Sequence, residues 1–482
     1  MTARLGKIAT WVAMPTVASL TRMEENGFRL DVPWAKERLK VEEERRDGGL
    51  DKMAELFGQD RSRASSAATS NWFKEFTSRA VAEDKLRIIS MTKNGNAQWN
   101  KGVLAKLTRQ GFETAALVRD QRVGGKLAEY LNSWLGFVSP DGRIHANYNV
   151  GRVSTGRLSS SNPNMQQVTK SLRPAFIPSD GYYIADFDFS QVELRVGAFV
   201  SRCQPMIDAF NDNQDLHRVL AQRIVEDRNR RDNDRARELT AMIAAGRRVD
   251  SHDLKWLTDV YVEKPEKVAL EDIDPKDRQG AKSANFGLLY LQSAEGYREY
   301  AESVYGVVLT LQEAAQFHAA FFEQWKGMHE WHERTKAQVR RDGYIVSPIG
   351  RVRRLPGIWD SNEWVRSEAE RQAVNSPVQG LASDLMQLAA ADIQGLLPGT
   401  KAVPNVRLVA TVHDSIVAEL PRDNWKSAAI EVQARMERSG EWLKKLGVTF
   451  DVPIRADYSV GTRWSWDDVQ HPEDYPAIDS AA

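Results

Sequence analysis

Leu408, Val409, Val412, Ile416, Val417 and Leu420 read as two short apolar strands, and His413, Asp414 and Ser415 interrupt them. A carboxylate beside a packed strand requires a counter-ion, hydrogen bonds or protonation. Asp and Ser are also ordinary turn residues, so a polar hairpin turn accounts for the same letters. A second stretch repeats the problem: in YIADFDFSQVELRVGAF, Ile184, Phe187 and Phe189 surround Asp186 and Asp188. Two acids, each set on an apolar strand, point to a shared divalent cation. Magnesium takes oxygen ligands and is often held by one or two carboxylates plus substrate phosphates. Two such ions roughly 3.5–4 Å apart stabilise both the attacking and the leaving oxygen of an in-line phosphoryl displacement.

A phosphate-bearing partner has to be reconciled with the overall charge. The 482 residues carry 66 basic and 66 acidic side chains, so a polyanion must be held by a local basic groove and not by a global field. Hydrophobic content of 42% and charged content of 27% are ordinary for a globular chain, and the length allows roughly two to four structural units. The single cysteine, Cys203, excludes an internal disulfide framework and fits a reducing compartment. No stretch approaches the roughly 20 apolar residues of a membrane span. Arg4 and Lys7 ahead of Ile8 to Leu20 mimic an export signal, but Pro15 and Thr16 interrupt the run, and a cytoplasmic protein is expected.

Along the chain, residues 14 to 58 read as helical, with Asp31 and Pro33 as a start signal before the charged run around Glu42 to Arg46. Residues 60 to 70 form a polar loop, and a further helical region extends to about Leu135. Residues 136 to 168 are irregular and polar, and Tyr182 to Val200 is a strand leading into a helix. The alternating charges from Arg223 to Asp250 read as a solvated helical face. Val365 to Leu397 is a long helix with Val374, Val378, Leu381, Leu385 and Leu388 on its apolar side. The last dozen residues read as a loose tail.

The segment DIDPKDRQGAKSANFGLLY, residues 272 to 290, is more specific. Asp274 is a good N-cap, Pro275 suits the first helical position and Asp277 lies in the first turn. Arg278, Lys282, Phe286 and Tyr290 then recur every fourth residue, drifting about 40° per step along one broad face over about 18 Å. That face can span a nucleoside triphosphate, its cations near the helix N-terminus where the dipole also favours phosphate, its aromatics under sugar and base. Arg371, Asn375 and Gln379 form a second row, opposite the apolar stripe, that can grip minor-groove acceptors without reading sequence. Pro377 lies within that row and is expected to disturb the helix.

These residues resemble family A DNA polymerases, the bacterial DNA polymerase I type. DFDFSQVELR resembles the first palm motif, RQGAKSANFGLLY the fingers helix and VHDS the second palm motif. STGRLSSSNPNMQQV, DLHRVLA, GRVRRLP and ERQAVNSPVQGLASD resemble further segments in the family's order, and MPTVASLTRMEENGFRLD the start of the thumb. The resemblance implies an α+β right-hand fold, with a thumb-like helical region at 1–145 and a palm in two parts, 146–205 and 366–482. Helical fingers at 206–365 would carry a charged insertion at about 223–272. It implies that Asp188, Asp414 and the Phe189 carbonyl hold two magnesium ions, for which Mn2+ can substitute. Arg278, Lys282 and His217 would hold the triphosphate, Phe286 would stack near the sugar and base, and Glu193 against Tyr290 would exclude a ribose 2′-hydroxyl. Arg157, Arg371, Asn375, Gln379 and His413 would contact primer–template DNA, and the primer 3′-hydroxyl would attack the α-phosphate of a dNTP.

Ser415 stands where the family usually has Glu, Leu291 where Gly is usual, and Phe189 where Tyr is common. Two acids are therefore expected to suffice. A polymerase-only chain is expected, without an intrinsic exonuclease, with a separate exonuclease, helicase or processivity factor as potential partners, and a phage-like source fits. Two other readings are a single-subunit RNA polymerase-like enzyme, against which Glu193 argues, and an inactive DNA-binding homologue, against which the retained acids argue.

Overall fold

A computed structural model describes residues 6–63, 71–72, 101–109 and 111–465. The expectations for residues 64–70, for residues 73–100 and for the C-terminal tail lie outside the described residues.

The acids sit on an antiparallel sheet of four strands in the order β10-β5-β9-β8. Its strands are β5 (Tyr182–Phe189), β8 (Arg407–Val412), β9 (Ser415–Pro421) and β10 (Ala456–Gly461). The small pairs are β1 (Phe28–Arg29) with β2 (Arg143–Ile144), β3 (Asn147–Asn149) with β4 (Ser159–Ser161), and β6 (Tyr344–Val346) with β7 (Val352–Arg354). On β5, Ala185, Phe187 and Phe189 face the main core, while Ile184 faces a second core with Phe28, Trp134, Phe176 and Trp464. Alternation along a strand therefore sets Asp186 and Asp188 on the side opposite the main core.

Helices surround this sheet. The longer ones among the described residues are α1 (Met14–Asn26), α2 (Val32–Leu56), α3 (Lys101–Arg109), α4 (Glu113–Phe137), α5 (Val192–Ser201), α6 (Gln204–Asn211), α7 (Leu216–Ala244), α8 (Pro275–Leu289), α9 (Ala294–Tyr305), α10 (Leu311–Gln324), α11 (Met328–Asp342), α12 (Glu363–Ile393) and α13 (Trp425–Glu437). Asp31 caps α2 by accepting from the Trp34 N–H at 3.0 Å, as the start signal at Asp31 and Pro33 indicates, and the helical stretch from 14 to 58 is divided there by Gly27 and β1. Helices α2 and α4 approach closely: a Cβ on Gly49 would lie 2.9 Å from the Gln121 Cβ, and one on Gly124 3.0 Å from the Glu42 carbonyl. Beyond them Met53, Val103, Leu104, Leu107, Ala115 and Val118 form a small core of their own.

The charged run after Arg223 lies largely on α7, which is 29 residues long and buries Ile224, Val225, Ala236 and Leu239 on one side. Pro377 does not break α12, which is helical without interruption from Glu363 to Ile393. Pro377 and nearly all of residues 373–393 are buried, and packing on every side holds the helix across the missing N–H.

Candidate active site

The hairpin from β8 to β9 turns on two residues, His413 and Asp414, between paired Val412 and Ser415. His413 takes the left-handed conformation, φ 56°, which a tight hairpin requires and a side chain disfavours. The Ser415 hydroxyl donates to the Val412 carbonyl at 3.1 Å and closes the turn. Ser415 also lies directly opposite Asp188 across β5 and β9, so the turn delivers Asp414 beside Asp188.

The two acids on β5 sit in different surroundings. Asp186 is 1% exposed and accepts from Arg173 Nη1 at 3.0 Å and from Trp464 Nε1 at 2.7 Å. Asp188 and Asp414 accept no hydrogen bond or ion pair from any described residue. Burial pushes the Asp188 carboxyl up to about 7, with Asp186 and Asp414 adding repulsion, and Asp457, its partner on β10, adding more. Burial likewise raises Asp414, and the nearby Arg157 guanidinium acts against that rise. Two partly buried carboxyls that repel each other and lack donors are the donor set a divalent cation fits, because the cation removes both the repulsion and the missing coordination.

Glu193, in the first turn of α5, joins this cluster to α8. The Tyr290 hydroxyl donates to one of its oxygens and the Arg157 guanidinium to the other. Burial raises Glu193, as does the nearby Asp414, and burial also lifts the Tyr290 phenol well above its ordinary range.

On α8 the fourfold spacing is visible as exposure. From Gly280 to Tyr290 every residue is buried except Lys282, Phe286 and Tyr290, and Arg278 continues the row towards the N-terminus. Asp274 caps the helix, accepting from the Lys276 N–H at 2.7 Å, and Asp277 pairs with Arg228 of α7 at 3.0 Å. The chain's own acids thus answer the dipole at that end, and Arg278 and Lys282 are the cations of the stripe. Arg278 pairs with Asp215 at 2.7 Å. His217 is buried, 2% exposed, with its Nδ1 3.0 Å from the Asn285 amide, its ring against Phe286, and its basicity pushed down to about 4 by burial.

On α12, Arg371 pairs with Glu368 at 2.7 Å, and the Asn375 side-chain oxygen is buried without a partner among the described residues. Arg157 follows Gly156, whose carbonyl accepts from Ser383 Oγ at 3.2 Å and from Gln387 Nε2 at 3.1 Å, so α12 also fixes the loop that carries Arg157. Of the predicted residues, Asp188, Asp414 and Glu193 are thus brought together, and Arg157 and Tyr290 bond to Glu193; Arg278, Lys282 and Phe286 lead along α8 to Tyr290, and Arg371, Asn375 and Gln379 share α12. Sequence reasoning missed Asp215, Arg173 and Asp457. The first lies beside His217 in a segment already singled out, and the last alternates with apolar residues in RADYSV.

The family model for DNA polymerase family A matches residues 69–246 and 257–466. The chain belongs to DNA polymerase family A. Residues 247–256, which the family model leaves out, fall inside the stretch expected as an insertion. There Asp250, His252 and Asp253 bring ligand atoms within 4.8 Å of one another, a spacing that could hold an ion. Asp250 instead caps the turn by accepting from the Asp253 N–H at 2.8 Å, and Asp253 pairs with Arg235.

Among curated relatives, DNA polymerase I of Pseudomonas aeruginosa is 28% identical over 95% of this chain and 44% of its own length. DNA polymerase I of Aquifex aeolicus is 28% identical over 95% of this chain and 67% of its own, and thermostable DNA polymerase I of Thermus filiformis is 30% identical over 96% and 49%. The chain thus spans about half the length of most of these relatives. The solved POL domain of Pol1 from M. smegmatis, in complex with DNA primer–template and dNTP, matches with a TM-score of 0.74. It covers 96% of this chain and 72% of that one at 24% identity, which shows the shared right-hand polymerase fold of mixed helix and sheet. Among the described residues no helix is long and apolar enough to cross a membrane.

Proposed function

We propose that this chain is a template-directed DNA polymerase that adds dNTPs to a primer 3′-hydroxyl. The observation that carries the reading is the convergence of unpartnered Asp188 and Asp414 with the stripe of α8, joined through the hydrogen bond between Glu193 and Tyr290. Asp188, Asp414 and the Phe189 carbonyl would hold two magnesium ions. When bound, such ions activate the attacking hydroxyl and neutralise charge at the reacting phosphate and leaving pyrophosphate.

The chain's own residues do the remaining work. Arg278 and Lys282 hold the triphosphate, and His217, neutral and buried behind them, backs Phe286, which lies under the base and sugar. Glu193, fixed by Tyr290 and Arg157, fills the space a 2′-hydroxyl would need. Arg157, Arg371, Asn375, Gln379 and His413 line the path of the primer–template, and their mix of guanidinium and amide groups suits sequence-independent grip on the minor groove.

Extension of a labelled primer on a template, with dNTPs against rNTPs in magnesium, tests this. Templated extension with dNTPs and little with rNTPs is expected. Absence of extension with either, from protein that binds the DNA, would overturn it.

A further inference from the structure

Asp215 uses its two carboxylate oxygens for two different tasks. Oδ1 caps α7, accepting from the His217 N–H at 2.9 Å and the Arg218 N–H at 3.4 Å. Oδ2 accepts from Arg278 Nε at 2.8 Å and pairs with its Nη2 at 2.7 Å. The carboxylate therefore sits between the N-terminus of α7, where the helix dipole favours an anion, and the first cation of the α8 stripe. The paired side chains are 34% and 26% exposed, so the contact lies where a ligand can reach it.

The same arrangement recurs at the other arginines of the site. Arg157 is answered by Glu193 and Arg371 by Glu368, which fits a chain of zero net charge. Asp215 differs from Glu193 and Glu368 in contacting a cation aimed at the triphosphate rather than at DNA.

Resting on the assignment of Arg278 to the triphosphate, we propose that Asp215 is an internal counter-ion that occupies the anion position of the nucleotide site and sets dNTP affinity by competing with the incoming phosphates. A phosphate oxygen must displace Oδ2 to reach the Nε–Nη2 edge of Arg278, leaving Nη1 as the one nitrogen open without that exchange, so binding through that edge is reduced by the fraction of molecules in which the pair is closed. The cap through Oδ1 is independent of this exchange and keeps Asp215 at hand for the next cycle.

Steady-state primer extension by the full chain tests the proposal. Asp215→Asn keeps a capping oxygen and removes the charge, and Asp215→Ser does the same if the first variant folds poorly. The expected result is a dNTP KM about three- to tenfold lower, appearing in KM and not in kcat, with the gain shrinking as salt is raised. Arg278→Ala should raise KM, and adding Asp215→Asn to it should then change KM by less than about twofold. A KM that Asp215→Asn leaves unchanged or raises, while Arg278→Ala raises it, overturns the competition alone. A KM unmoved by Arg278→Ala removes Arg278 from the triphosphate site and overturns the assignment together with the inference.

Discussion

Glu193 and Tyr290, 97 residues apart in the chain, are joined by a hydrogen bond from the phenol to a partly buried carboxylate that Arg157 also holds. The bond fixes the end of the α8 stripe to the helix that follows β5, so nucleotide face and acid cluster keep one spacing. It also leaves Glu193 no freedom to move aside. Glu193→Ala should raise ribonucleotide incorporation by about ten- to a hundredfold in direct competition with dNTPs, because a steric and polar barrier to the hydroxyl is gone. Tyr290→Phe should give a smaller rise, since Arg157 still holds the carboxylate.

Asp186 and Asp188 are two residues apart on one strand, and opposite consequences are expected from replacing them. Asp186→Ala leaves Arg173 and the Trp464 indole without their acceptor in a buried setting and should cost about 3 kcal/mol in chemical denaturation. Asp188→Ala and Asp414→Ala should abolish extension while leaving DNA binding in gel shifts largely intact.

Asp188 also makes stability depend on pH with a defined sign. Its carboxyl releases its proton near 3.8 when unfolded but near 7 when folded, so between those values the folded state holds the extra proton. Stability of the metal-free protein should therefore fall as pH rises from about 4 to 7, and Asp188→Asn should flatten that fall and add about 1–2 kcal/mol at pH 8, the carboxyl being partly exposed. Added magnesium should raise the melting temperature of the parent and not of Asp188→Asn.

The hairpin tip separates shape from chemistry. His413→Gly relieves a left-handed side chain and should be neutral to stabilising by about 1 kcal/mol, yet should weaken primer extension. Ser415→Glu places a carboxylate opposite Asp188 and should leave the extension rate within about tenfold, or roughly 1.4 kcal/mol, with its pH profile moved upward by the added repulsion.

The stripe on α8, the cap at Asp274 and the hairpin at His413–Asp414 were legible in the sequence because each is a local pattern of spacing or turn chemistry. The Pro377 disturbance was not realised, because burial on all sides of α12 outweighs one missing N–H, and no short window of sequence reports that burial. The ion pairs that hold Arg157 and Arg278 were invisible for a related reason. Each of these arginines was readable as a ligand for phosphate or base, but its present partner is set by tertiary approach: Glu193 reaches Arg157 across 36 positions and Asp215 reaches Arg278 across 63.

The sheet order β10-β5-β9-β8 also bears on how the protein is made. β5 lies inside the sheet but is synthesised well before the two strands that pair with it, β9 and β10, so a nascent chain carries Asp188 on a strand with both edges open until Ser415–Gly461 has emerged. Pairing of such late and early segments is slow and leaves edges available to other chains in the interval. Ribosome-bound intermediates of this protein should therefore lack the pairing of Asp188 with the Asp414 hairpin until the last strands are released.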